Sequence, residues 1–228
     1  MIKLTVSLLN YCSRSSIIKS VIIPLSVSMA RINPEYRRDA KKKIIDATIE
    51  VVSEKGATAV TLEDIAQKVG VTKGALYTYF ESREVLFREM VLEVFTRVRS
   101  ELKKVFQESD DGPEVFSRIT DLMYGDLKRY TNIFSQMVTI VPQDPELQAL
   151  YSTMFDKNVA FIGSQISQMQ KKGAISAEVV PEEAARAILA LVIGLLITEL
   201  HLKKDHEQLK RICFDSVSRL LSLKTSTT

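Results

Sequence analysis

The residue types able to do chemistry gather in one short stretch. On a helix started at Thr72, residues Thr72, Lys73, Gly74, Tyr77, Thr78 and Tyr79 fall on one side, and Ala75, Leu76 and Phe80 on the other. Hydroxyls, an ammonium and no carboxylate make a surface that can bond phosphate oxygens and base edges. Such a surface needs a support, and the residues before it supply one. Thr61 can cap a preceding helix, and Asp64 stands near that helix N-terminus, where a carboxylate is favoured. Ile65, Ala66 and Val69 form an apolar stripe. Gly70 sits where a left-handed cap is wanted, Val71 can plug the angle between the helices, and Thr72 caps the second helix. Thr61 to Phe80 therefore predicts a helix-turn-helix whose second helix suits a nucleic-acid groove. For Tyr77 and Tyr79 the competing placement is inward, as core beside Phe80.

The rest of the chain limits the alternatives. It has 228 residues, 46% of them apolar, with eight glycines and six prolines, which favours long helices over many turns. Strand-like alternation is weak throughout, so an all-α fold is expected. The net charge of +3 is small, so nucleic-acid binding must rest on local basic patches. Cys12 and Cys213 match no disulfide framework or metal spacing, and a reducing cytosol is the expected compartment. His201 and His206 lie five apart with no third ligand, so no metal is expected. No Gly-rich phosphate loop or Ser/His/Asp set is present, which argues against an enzyme and a cofactor. No run of about 18 apolar residues occurs, so no membrane span is supported.

Residues 1–28 differ in character from the remainder of the chain: basic, serine-containing and without acids. They read as a secretory signal, as a basic transit-like arm, or, the favoured reading, as a stretch upstream of a start at Met29. From Glu35 to Lys55 the apolar positions Ala40, Ile44, Ala47 and Val51 keep helical spacing, and Gly56 ends the helix. Its first turns are basic, and Lys41 is a candidate phosphate anchor, set against a merely solvated face. Ser82 starts a long helix to about Gln107, with the linker Glu108 to Pro113 after it. Val115–Tyr130, Ile133–Val141 and Glu146–Lys172 then read as helical segments. The helix from Pro181 carries Ala187–Ile197, apolar nearly all round, and a last helix carries Leu209 to Leu221.

Gly56 to Phe87, GATAVTLEDIAQKVGVTKGALYTYFESREVLF, resembles the N-terminal pattern of the TetR family of transcription regulators. The resemblance implies a three-helix DNA-binding domain at 29–82, a connector helix at 83–107, and a ligand-binding and dimerising helical domain at 108–224. It implies a cytoplasmic homodimer that binds a palindromic double-stranded operator and is released by a small effector, with repression as the family habit. Contacts to DNA are then expected from Thr61, Thr72, Lys73, Gly74, Ala75, Tyr77, Thr78, Tyr79, Arg83 and Lys41. Arg83 departs from the lysine many members carry but keeps the charge. Tyr124, Phe134, Met137, Tyr151, Met154, Phe155 and Phe161 can line a pocket for a lipophilic effector, against the alternative of plain bundle core. A fatty-acid or acyl-thioester effector is the leading guess and a drug-like cation the competing one. Ile188, Leu191, Leu195, Ile212 and Leu220 are expected at the dimer face. The rival reading is a helical lipid carrier or membrane-surface protein whose helix-turn-helix no longer binds DNA.

Overall fold

The computed structural model describes residues 34–223, so the expectations for residues 1–28 and the polar tail from Lys224 lie outside the described residues. The chain divides into two compact units at Arg37/Arg38. Of the first unit only Pro34–Arg37 is described, one exposed helical turn. The second unit holds the core, the remainder of that first helix and every later helix.

Every regular element among the described residues is helical. Helix α1 (Pro34–Lys55) buries Ile44, Ala47, Ile49, Val51 and Val52, the broad stripe its spacing requires. It ends at Gly56, whose φ of +86° suits a residue without a Cβ and whose N–H bonds Val52 O at 2.9 Å. Helices α2 (Leu62–Val69) and α3 (Lys73–Leu76) come next, then α4 (Arg83–Glu108), 26 residues long and capped by Ser82. The expected second helix to Phe80 is shorter than its pattern: after Leu76 the chain tightens, with Thr78 N–H bonding Ala75 O and Tyr79 N–H bonding Leu76 O.

Helix α5 (Gly112–Tyr124), capped by Asp111, stops where the sequence pattern continues to Tyr130. The pattern continues because Leu127 and Tyr130 are also buried. The backbone breaks at Gly125, where a Cβ would lie 2.7 Å from Asp121 O, and a single tight turn at Lys128–Tyr130 leads into α6 (Thr131–Ile140). Asp144 caps α7 (Pro145–Lys171), and α8 (Pro181–Leu202) and α9 (His206–Leu220) complete the fold.

Two apolar cores result. One joins α1–α3 and the first half of α4 to Leu127, Tyr130, α6 and the start of α7. The other joins the end of α4 to α5, α7, α8 and α9. Met90 and Val94 belong to the first and Val105 to the second, so α4 is shared. Complete burial of a side chain such as Met90 contributes about 1.5–3 kcal/mol, so α4 cannot shift without disturbing both cores. Helix α8 packs on α6, α7 and α9. The run Ala187–Ile197 is short, yet the whole 22-residue helix is long and apolar enough, by length and composition alone, to cross a membrane. Ala184, Ala185, Ile188, Val192 and Leu196 form its buried face.

Candidate nucleic-acid interface and effector cavity

The support of the reader is built as its sequence requires. Thr61 Oγ1 accepts the Asp64 N–H at 3.1 Å, and the Asp64 carboxylate accepts the Thr61 N–H at 2.9 Å, closing a capping box. Lys55 Nζ lies 2.6 Å from Asp64. Those hydrogen bonds, the Lys55 one first, hold the Asp64 carboxyl down at about 2. Gly70 takes φ +80° and caps α2. Thr72 Oγ1 accepts the Ala75 N–H at 3.2 Å and starts α3. Val71 does not plug the helix angle: 41% of it is exposed.

The outer surface of α3 presents Thr72, Lys73, Gly74, Tyr77 and Thr78 to solvent, with Ala75 half-buried. Tyr79 packs against the first core and Tyr77 stays 50% exposed, which separates the two tyrosines. Thr78 Oγ1 donates to Ala75 O at 2.7 Å. A Cβ on Gly74 would meet only Thr72 Oγ1, at 3.9 Å, so no packing within the chain requires glycine there. Lys73 Nζ is paired with Glu63 at 2.7 Å; the pairing raises the lysine pKa and lowers the glutamate's.

Two expected phosphate contacts are placed differently. Lys41 Nζ pairs with Glu89 at 3.1 Å and lies 4.9 Å above the Phe80 ring centre. Arg83 donates to Ala57 O at 2.7 Å and Val60 O at 3.2 Å, and its guanidinium stacks 4.1 Å over Phe87. It clasps the α1–α2 loop to the start of α4, because its terminal Nη2 donates to both carbonyls at once.

Polar residues the sequence reading passed over make a second clasp. Asn132 Nδ2 donates to Ser53 O at 2.9 Å, and Gln136 Nε2 donates to Asn132 Oδ1 at 2.7 Å. Gln136 Oε1 accepts the Ala57 N–H. Their i, i+4 spacing within a segment without charges was the available signal.

A cavity of about 90 Å³ lies between α4, α5, α6, α7 and α8. Phe134, Tyr151, Phe155 and Phe161 line it, joined by Phe95, Phe106 and Phe116. The rings meet edge to face, with Phe95 5.6 Å from Phe134 and 5.4 Å from Tyr151. Tyr124, Met137 and Met154 are buried in the cores away from the cavity wall. Tyr124 packs on His206 and bonds Leu209 O at 3.4 Å, and burial pushes its pKa well up. Ile188, expected at a dimer face, lines the cavity instead. Leu191 and Leu195 are half-buried, and Ile212 and Leu220 are 40% and 39% exposed.

A helix-turn-helix with a solvent-exposed outer face, held by two clasps to a helical domain with a cavity, has the architecture of a DNA-binding regulator. Residues 44–90 match the model of the bacterial regulatory proteins of the tetR family. YhgD of Bacillus subtilis, an HTH-type transcriptional regulator, is 26% identical over 190 residues, covering 81% of this chain and 94% of that one. A TetR transcription regulator from Haloarcula marismortui shares the fold, with a TM-score of 0.69 and 17% identity over 81% of this chain and 97% of the other. A protein from Saccharomonospora viridis solved in complex with choline aligns with a TM-score of 0.70 and 20% identity over 79% and 96%. The chain carries the tetR-family DNA-binding region at residues 44–90 and shares the fold of TetR-family regulators.

Proposed function

We propose that the chain is a homodimeric repressor that reads a palindromic operator with α3 and leaves it when a lipophilic effector fills the cavity. The observation that carries the DNA reading is the outer face of α3. It is exposed and free of carboxylates, and it has a glycine that internal packing does not require. Gly74 lets the helix come close to base edges, with Thr78 and Ala75 beside it. Thr72, Lys73 and Tyr77 lie where the groove rim places phosphates. Thr61 supports them by fixing α2. One α3 reaches few base pairs, so two copies about 34–36 Å apart, or a multiple, are required. The dimer face we assign is the outer side of α8, Leu191 and Leu195 with Ala187 and Gly194, together with Ile212 and Leu220 of α9.

The effector side is argued from size. A ligand pocket usually measures about 300–1,000 Å³, and this cavity measures about 90 Å³. An effector of ordinary size therefore fits only a state in which the walls have parted, and it shifts the population toward that state. Phe95, Val98, Leu102 and Phe106 of α4 form one wall. Arg83 at the other end of α4 holds Ala57 and Val60, so moving α4 moves the reader. A long acyl chain asks for the largest opening. A quaternary cation, the ligand of the Saccharomonospora protein, would find aromatic rings here but no acid in the lining.

Gel retardation with the DNA upstream of the chain's own gene, together with footprinting, tests the proposal. A two-fold symmetric footprint is expected. Equal retardation of all DNA fragments at about physiological salt would refute it.

A further inference from the structure

The lining of the cavity contains almost nothing polar. Thr131 and Asn158 both line it, and no charged side chain does among the described residues. Thr131 is 7% exposed, and its hydroxyl is buried without a hydrogen-bond partner. A buried hydroxyl left unpaired costs roughly 1–3 kcal/mol, so its retention needs a reason. Asn158 is oriented by Arg99, whose Nε and NH2 reach Asn158 Oδ1 at 3.1 and 2.7 Å. A guanidinium only donates, so the amide must turn its carbonyl to Arg99 and keep its NH2 for another acceptor. Arg99 brings a positive charge behind Asn158, which also favours electron-rich groups nearby.

We propose that the cavity selects compact, lipophilic molecules carrying a hydrogen-bond acceptor, neutral or anionic, with Thr131 and the Arg99-backed Asn158 as the two recognition points. This rests on the proposed effector role of the cavity and deepens it. Aromatic walls would hold the body of the molecule, and a carbonyl, carboxylate or ring heteroatom would take the Thr131 and Asn158 protons. A cation fits badly: the lining has no acid, and Arg99 opposes it.

Three probes of matched shape decide the matter: acetophenone, isopropylbenzene and phenyltrimethylammonium, titrated into the full-length protein by calorimetry. A ring-sized guest already needs a cavity of about 150 Å³, so the cost of parting the walls is common to all three and cancels in the comparison. Acetophenone should bind roughly fivefold or more tighter than isopropylbenzene, the worth of one net hydrogen bond. Thr131→Val and Asn158→Leu should each shrink that preference. Thr131→Val should also melt higher than the parent without any probe, because it removes an unpaired hydroxyl. Equal affinities, a preference for phenyltrimethylammonium, no binding of acetophenone, or a preference unchanged in both variants would each overturn the proposal. Operator retardation without probe is measured on the same samples. Its absence would count against the regulator reading, and its presence with any of those outcomes would count against the acceptor rule alone.

Discussion

Replacing Gly56 by alanine tests the clasp between the reader and α6. Two costs should arise, and they can be separated. The first is local: φ is +86°, and an L-residue there costs about 1 kcal/mol relative to glycine. The second is at a distance: the new Cβ would lie 3.0 Å from Gln136 Nε2, so the amide must retreat. That withdraws the acceptor from the Ala57 N–H and loosens the bond to Asn132. A half-buried hydrogen bond of this kind contributes about 1 kcal/mol. Gly56→Ala should therefore destabilise by about 2 kcal/mol in the parent, but by only about 1 kcal/mol in a Gln136→Ala background. Urea unfolding of the four proteins closes the cycle. If Gly56→Ala costs the same in both backgrounds, Gln136 does not hold the loop and the clasp reading fails.

Lys73→Ala should weaken operator binding and make the dependence of log K on log salt shallower by about 0.9, one phosphate contact. Glu63→Gln should strengthen binding, because it releases Lys73 from its 2.7 Å partner; retardation over a salt series reads both. Thr78→Ala should alter base preference more than affinity, as seen by selection from randomised operators. The Asp64 carboxyl has its folded pKa lowered from 3.8 to about 2, so its contribution is complete above about pH 4 and vanishes as the pH falls through about 2. The stability difference between the parent and Asp64→Asn should close across that window, and a difference that persists at pH 2 contradicts the assignment. Leu191→Glu with Leu195→Glu should yield folded monomers by size-exclusion chromatography, with operator affinity lost.

The reader was legible because its local chemistry is self-sufficient: Thr61, Gly70 and Thr72 each fix backbone geometry within a few residues. The end of α5 was not legible, since Leu127 and Tyr130 prolong the apolar period while Gly125 breaks the helix for a reason visible only against Asp121 O. Arg83 looked like a phosphate contact because a cation at a helix start suits that role equally well. Its actual partners, Ala57 O and Val60 O, lie 26 and 23 residues back. Aromatic and methionine residues announced a pocket or a core without distinguishing them: Phe134 and Met137 stand on one short helix, one at the cavity and one away from it. Thr131 drew no notice, because an unpaired hydroxyl is a property of its surroundings.

Helix α6 has one further consequence. Thr131 and Phe134 touch the cavity, while Asn132 and Gln136, interleaved between and beyond them, grip the loop behind the reader. On the proposed reading, these ten residues would serve detection and actuation together. Anyone evolving this protein into a sensor for a new inducer would find the two inseparable on α6: a wider pocket at Phe134 would also change the leak in the absence of inducer.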